Sequence, residues 1–305
     1  ATAILEMRLY RLIGLEIQAL RKEYEETMNR IQTYSRILED RGEMAKVIIR
    51  ELKEIQKEYG RERRTALDNV AQAVVEEKPI EETDVAVLID RFSYGRCVDM
   101  SVFERNREAA ESECKRIIFC KNTDKLAIFT NTGQMHLVKV LDLPQGKFRD
   151  KGQPFDNVSN FDSGSEREIY IEALVNLKEK KLIFGTKTGM LKVVAGSEFI
   201  VGKRTTAATK LAEGDELLTV APLEEEETLV MQTAGNVFLR IDAATIPEKK
   251  KGAVGVRGIR LQTGDLLEEI HVLHPGDNPT VTVKGKTVYL NRLHIGNRDT
   301  KGVKK

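Results

Sequence analysis

The sequence predicts an α plus all-β protein: a helical coiled-coil arm followed by a propeller-like array of repeated hairpin blades. Three observations lead there. Up to about residue 60 the apolar residues recur at steps of three and four, the period of a helix. From about residue 84 the pattern changes to alternation. One pattern then returns again and again: an apolar run, a polar turn carrying a glycine, and a second apolar run.

The arm comes first. Leu20, Tyr24, Met28, Ile31, Tyr34 and Leu38 form one narrow stripe; Asp40–Gly42 interrupts it; Met44, Ile48, Leu52, Ile55 and Tyr59 resume it, with Gly60 as the expected stop. A narrow stripe on helices this charged suits a coiled coil. An isolated helix of that length is marginal in water, so the arm calls for a partner helix from before residue 1 or from another chain. The alternative is a plain helical hairpin in a bundle. Ala3–Leu15 reads as helix too, with a break at Gly14. Arg61, Arg63 and Arg64 complement the dipole at the helix end. Residues 65–83, rich in Glu, read as a linker, with an edge strand at Val70–Val75. The expected division is 1–64, 65–83 and 84–305.

The hairpins follow. The clearest runs from Leu126 to Val140 around Gly133; others lie at 182–194 around Gly189, Leu229–Ile241 around Gly235, Val281–Leu290 around Gly285, and, most weakly, Val85–Met100 around Gly95. Hairpin repeats spaced by about 40–50 residues mark a propeller-like array. A lone hairpin is unstable in water, so the copies must bury their faces on one another. A β-sandwich of unrelated strands is the alternative; the recurring Thr-x-x-Gly turn, with a base after it, argues against it.

A basic loop follows each hairpin in step: Lys147, Arg149 and Lys151 after Leu143; Lys203, Arg204 and Lys210 after Phe199; Lys249, Lys250, Lys251, Arg257 and Arg260 after Ile246; Arg298, Lys301, Lys304 and Lys305 after Leu293. Gly214-Asp215 and Gly264-Asp265 form acidic turns beyond two of them. The first copy is degraded: Arg105 and Arg107 give way to Glu108, Glu111 and Glu113. Equivalent loops in a repeat lie on one rim, and such a track offers cations to successive phosphates of double-stranded DNA without reading bases. Gly252, Gly255 and Gly258 are expected to let backbone amides approach a phosphate.

Composition agrees with a local rather than a global charge signal. Net charge is +1 over 305 residues, yet after residue 245 there are 12 bases against 6 acids. No apolar run approaches the roughly 18–20 residues that cross a bilayer, so no membrane partner is expected. The first residues are too charged for a signal peptide; the chain lacks an initiating Met and opens in mid-pattern, as a piece of something longer does. Cys97, Cys114 and Cys120 show no paired spacing and are expected as free thiols in the cytoplasm.

Catalytic chemistry is not expected here. There is no phosphate-binding loop of the nucleotide-binding kind and no triad. His136, His271, His274 and His294 are scattered; His271 and His274 lack a further ligand at a suitable spacing, so no metal site is read. Glu224–Glu227 reads as a solvated loop.

Two flanking motifs and the repeats carry a resemblance. Ala3–Glu16 (Ala-Ile-Leu-Glu-Met-Arg-Leu-Tyr-Arg-Leu-Ile-Gly-Leu-Glu) resembles the segment leading into the exit gate of the A subunits of bacterial type IIA topoisomerases, gyrase and topoisomerase IV. Tyr59–Thr65 looks like the junction between their coiled coil and C-terminal domain. The repeats from Asp84 resemble that domain's β-pinwheel, and Lys250–Leu261 (Lys-Lys-Gly-Ala-Val-Gly-Val-Arg-Gly-Ile-Arg-Leu) its late-blade motif. The resemblance implies a nucleoid-associated DNA-binding and bending module, a second A subunit in the dimer, a separate B subunit that hydrolyses ATP, and ATP and magnesium bound by the parent complex rather than here. The family's catalytic tyrosine lies upstream of these residues.

One departure bears on which member is meant. Gyrase carries a Gln-Arg-Arg-Gly-Gly-Lys-Gly box in its first blade, used to wrap DNA. The corresponding stretch, Arg105–Glu113, is acid-rich. This points to topoisomerase IV, with gyrase bearing a degenerate box as the alternative. A protein-binding propeller on a stalk is a second alternative, with Phe148, Phe155 and Phe161 as its candidate contacts.

Overall fold

The computed structural model describes residues 14–61 and 81–305. A boundary at Glu77/Lys78 divides the chain into two units, each described by itself. The readings for residues 1–13, for Arg63 and Arg64, for most of the 65–83 linker and for a strand at Val70–Val75 lie outside the described residues.

The helical unit holds α1 (Gly14–Glu39) and α2 (Arg41–Tyr59). Asp40 ends one and starts the other: its extended backbone breaks the helix and its side chain accepts from the Gly42 amide at 2.7 Å, capping α2. Both stripes are exposed along their length, Leu20 at 65%, Leu38 at 76% and Leu52 at 58%. Neither helix covers the other's stripe.

The second unit contains four sheets and a terminal hairpin. Blade 1 is built on Asp84–Ile89 and Tyr94–Asp99, blade 2 on Lys125–Thr130 and Gln134–Lys139, blade 3 on Lys181–Thr186 and Met190–Ala195, blade 4 on Thr228–Thr233 and Val237–Asp242. Each central hairpin gains a third strand from the chain just beyond it: Arg116–Lys121, Glu168–Ala173, Leu217–Leu223 and Leu267–Leu273. Thr280–Val283 and Lys286–Tyr289 make a fifth, two-stranded hairpin.

The fourth strand of each blade comes from further along. Gln153–Pro154, after hairpin 2, pairs with blade 1; Thr205–Ala207, after hairpin 3, pairs with blade 2; Val256–Arg257, after hairpin 4, pairs with blade 3; Ile295–Gly296 and Val303–Lys304, after hairpin 5, pair with blade 4. Each blade is therefore closed by the segment that follows its neighbour, and the edge strand that a lone hairpin would expose is covered.

Consecutive blades share cores. Val85, Val87 and Ile89 pack with Leu126, Ile128 and Ile171 between blades 1 and 2. Phe129, Phe184 and Phe199 meet between blades 2 and 3, with ring centroids 5.0 to 5.9 Å apart. Ile183, Leu191, Met231 and Ile270 join blades 3 and 4. The two outer faces are capped differently. Ala86, Leu88 and Val98 of blade 1 are covered by Phe103 and Ala110 of the short helices Met100–Arg105 and Arg107–Glu113 and by Phe148; Val230 and Phe238 of blade 4 are covered by Val283 and Val288 of the fifth hairpin. Each buried cluster thus joins neighbours in chain order or caps an end, as in an open array.

The turns differ from the sequence reading at two positions. The left-handed residue is Gly133 (φ +76°) in blade 2 and Gly189 (φ +83°) in blade 3, as the Thr-x-x-Gly pattern requires, but in blade 4 it is Asn236 (φ +60°), not Gly235. Asn tolerates that conformation through its short polar side chain, and Thr233-x-x-Asn236 falls in register with Thr130-x-x-Gly133. In blade 1 the turn is Asp90–Ser93, with Ser93 at φ +62° and Asp90 Oδ1 accepting from the amides of Phe92 and Tyr94. Gly95 is a strand residue opposite Ile89; a Cβ there would lie 2.9 Å from the Phe155 ring, so the glycine makes room for a core aromatic.

Candidate nucleic-acid interface

The returning segments carry the cations. In blade 1 the segment touches the edge strand twice, in parallel at Cys97/Gln145 and antiparallel at Gly95/Gln153. Between those contacts it loops outward over 146–152, and Lys147, Arg149 and Lys151 sit on that loop, all exposed. Blade 3 repeats this: parallel at Val193/Glu248, antiparallel at Leu191/Val256, with Lys249, Lys250 and Lys251 between. Blade 4 repeats it again: parallel at Arg240/Ile295, antiparallel at Phe238/Val303, with Arg298 and Lys301 between. Blade 2 makes the antiparallel contact at Thr205–Ala207; Lys203 and Arg204 precede it and Lys210 follows it.

A repeated hydrogen bond sets the register. In blades 2, 3 and 4 the carbonyl of the left-handed turn residue receives an amide of the returning segment: Gly133 O from Ala208 at 2.8 Å, Gly189 O from Gly258 at 2.8 Å, Asn236 O from Lys305 at 3.0 Å. Side chains grip the same segments. His136 of blade 2 is buried with Nδ1 3.1 Å from Thr205 Oγ1 and Nε2 3.0 Å from Glu166. Lys192 of blade 3, 2% exposed, donates to the carbonyls of Lys251 and Ala253 at 2.5 and 2.9 Å. Arg240 of blade 4 donates to Asn291 and Leu293 carbonyls. Arg96 of blade 1 lies over the Phe148 ring, 5.4 Å from its centroid.

The twelve expected cations are not equivalent. Lys147, Arg149, Lys151, Lys203, Arg204, Lys210, Lys250, Arg257 and Arg260 are exposed. Lys249 is half-buried. Lys251 is half-buried too, and its ammonium donates to the Glu198 carbonyl at 3.0 Å. Segments 4 and 5 bring three arginines together. Arg257 and Arg260 each lie 3.6 Å from Asp299, and Arg298, half-buried, donates to the Arg257 carbonyl at 3.2 Å. Asp299 thus sits amid the densest group of cations in the unit's last two segments.

Two further lysines belong to this surface. Lys125 and Lys139 face each other across the blade 2 hairpin, and with Arg204 and Asp142 they line a cavity of about 180 Å³. Like charges directly opposite in a sheet repel; an anion there relieves the repulsion. The sequence shows Lys139 as the base ending its strand, but only the pairing register places Lys125 opposite it.

The glycines serve packing rather than anion approach. A Cβ on Gly255 would lie 2.4 Å from the Leu191 carbonyl oxygen, and one on Gly258 would lie 2.5 Å from Leu191 Cδ1; the Gly258 amide is already used by Gly189. Gly252 alone of the three has open space around it. The acidic turns also turn inward: Asp215 accepts from Thr188 N and Oγ1, and Asp265 from the Gly235 amide, each tying its segment to a hairpin turn. Phe148, Phe155 and Phe161 are 7%, 1% and 5% exposed, so they are core residues and not protein-contact residues. Glu227 is 1% exposed rather than solvated.

The degraded first loop has a structural counterpart. Residues 100–113 form two helices packed on their own blade, with Arg107 paired to Glu104 and lying over Phe103. The three cysteines are free; burial pushes the Cys97 thiol up to about 11 and Cys120 to about 12. Among the described residues no helix is long and apolar enough to cross a membrane.

Comparison with known proteins places this geometry. The family model described as the DNA gyrase C-terminal domain, beta-propeller, matches residues 180–224 and 227–273, which are blade 3 and most of blade 4. The DNA gyrase A protein of Lawsonia intracellularis is 29% identical over 99% of this chain and 39% of its own length. That of Chlamydia pneumoniae is 31% identical over 86% of this chain and 33% of its own length. The chain spans about a third to two fifths of these relatives. A crystal structure of the C-terminal domain of DNA topoisomerase IV superposes with a TM-score of 0.64, covering 73% of each chain at 20% identity, a likeness of fold.

Proposed function

Since this chain belongs to the C-terminal regions of type IIA topoisomerase A subunits, the family of gyrase A and topoisomerase IV, we propose that its β unit binds and bends double-stranded DNA and presents it for strand passage. The observation that carries this reading is the return of each basic segment to the preceding blade. Cations that are far apart in sequence come between the same two edge contacts in blades 1, 3 and 4 and flank the edge contact of blade 2. Duplex DNA carries about one charge per 1.7 Å of axis, and a series of cationic loops holds successive phosphates whatever the bases. Bending a site of 20–30 base pairs costs on the order of 1–6 kcal/mol, which contacts on several blades offset.

In this reading the arm joins a second A subunit through its exposed stripe, and the parent enzyme works in the cytoplasm with an ATP-hydrolysing B subunit. The sequence holds no complete Gly-x-x-x-x-Gly-Lys-Ser/Thr loop, since Gly285-Lys286-Thr287 has Thr280 where the first glycine would stand, and in this reading ATP and magnesium are assigned to other parts of that complex. The finer reading is topoisomerase IV, relaxing and decatenating. It is supported by residues 100–113, which offer acidic helices where a basic wrapping box would stand. The gyrase reading is favoured by the names of the curated relatives.

A linking-number assay tests both. The chain is bound to nicked circular DNA, the nick is sealed, and the product is analysed after protein removal. Bending without wrapping leaves the linking number near that of free DNA. A shift growing with bound protein supports wrapping and gyrase. Duplex affinity that ignores salt overturns the DNA reading altogether.

A further inference from the structure

We propose that Glu224, Glu227 and His274 form a site for a divalent transition metal of the zinc class. Their ligand atoms lie within 4.8 Å of one another. Glu224 and Glu227 stand three apart in the loop between strands Leu217–Leu223 and Thr228–Thr233, and Glu226, at φ +63°, turns the backbone between them. His274 follows directly on Leu267–Leu273, the strand whose Leu273 pairs with Thr228. The pairing of two strands of blade 4 thus brings the imidazole beside the loop.

The second observation is the state of Glu227. Its side chain is fully buried, where an ionised carboxylate is costly without compensation. Oε2 accepts from the Glu224 amide at 2.9 Å. Oε1 has no hydrogen bond, although His274 Nδ1 lies against it. An imidazole nitrogen and a carboxylate oxygen that face each other without a hydrogen bond offer two lone pairs to one point, and a cation placed there satisfies both. The His274 backbone is held by its amide donating to Asp277 Oδ2 at 3.1 Å. One imidazole and two carboxylates suit zinc better than magnesium or calcium, which prefer oxygen alone. An adjoining cavity of about 550 Å³ gives room for water as the fourth ligand. Bound metal clamps the 224–227 loop to blade 4 and compensates the buried charge.

The test uses the full 305-residue chain, stripped with chelator, and zinc chloride titrated at about pH 7.5 by calorimetry, because metal binding by imidazole and carboxylate competes with protons. One zinc per chain is expected, with magnesium chloride giving no heat. His274→Asn and Glu224→Gln, both at exposed positions, each weaken zinc binding at least tenfold, the scale of even outer-shell changes; His294→Asn does not. X-ray absorption of the zinc form shows nitrogen and oxygen neighbours at about 2.0–2.2 Å. Three results overturn the proposal: no zinc bound at ten-micromolar concentration, affinity unchanged in both variants, or sulfur neighbours at about 2.3 Å reporting a cysteine site. Each leaves Glu227 and His274 as an ordinary ion pair.

Discussion

Lys192 Nζ donates to the carbonyl oxygen of Ala253 at 2.9 Å, across 61 residues of sequence. A lysine in a blade 3 strand thereby holds the segment that follows the blade 4 hairpin. Lysine is seldom so buried, and here burial lowers its pKa to about 8.

The first prediction follows from that shift. The folded pKa lies below the unfolded value of 10.5, so between pH 8 and 10.5 the unfolded chain binds the extra proton and stability rises with pH. The penalty is fully present below pH 8. Urea unfolding of the wild type minus that of Lys192→Met isolates the effect: the difference shifts in favour of the wild type across this window by at most about 3 kcal/mol. A difference independent of pH would mean that the two carbonyls hold the ammonium at its ordinary pKa.

The turn register predicts unequal glycines. Gly133→Ala forces a Cβ into a left-handed position and against Leu211 Cδ1 at 3.1 Å; it costs about 1–2 kcal/mol or more. Gly235→Ala lacks the left-handed penalty, since Asn236 takes that place, and meets only the Asp265 carboxylate at 3.0 Å. Thermal unfolding ranks the two, with Gly133→Ala the less stable.

The cations separate by role. Lys250→Gln reduces the slope of log affinity for duplex DNA against log salt by about 0.9, whereas Lys251→Met lowers stability, because its ammonium is committed to Glu198. Asp299→Asn frees Arg257 and Arg260 from their carboxylate and tightens DNA binding by up to about fivefold, the worth of exposed ion pairs. Fluorescence anisotropy over a salt series reads the two binding effects, and urea unfolding reads the loss in Lys251→Met.

Phe155→Ala costs about 3–5 kcal/mol of unfolding free energy, because the ring fills the space beside Gly95 in the core between blades 1 and 2. Retained stability after this change would return the ring to the surface and revive its reading as a protein contact.

Much of this was legible in sequence. The helical stripe from Leu20 to Tyr59, the break at Asp40 and the hairpins around Gly133 and Gly189 all follow from local periodicity and turn chemistry, which act within a few residues. Gly235 misled because a glycine stood one place before the residue that needed positive φ; Asn236 can adopt that conformation, and the Thr-x-x register, rather than the glycine, marked it. Gly95 misled for the opposite reason: its value lies in a missing Cβ beside Phe155, a residue far along the chain in the segment that returns to blade 1.

The sequence by itself determined the elements, their repetition and the basic segments between them, because periodicity and charge are properties of neighbouring residues. Tertiary structure decided where those segments go. Each returns to the preceding blade because a hairpin edge leaves unpaired backbone groups that a later strand satisfies. This decides that Gly255 and Gly258 face Leu191, that Lys251 is spent on Glu198, and that Arg257, Arg260 and Arg298 meet. It also bears on the odd first copy: among the described residues no blade precedes blade 1, and residues 100–113 fold as helices that cap its outer face.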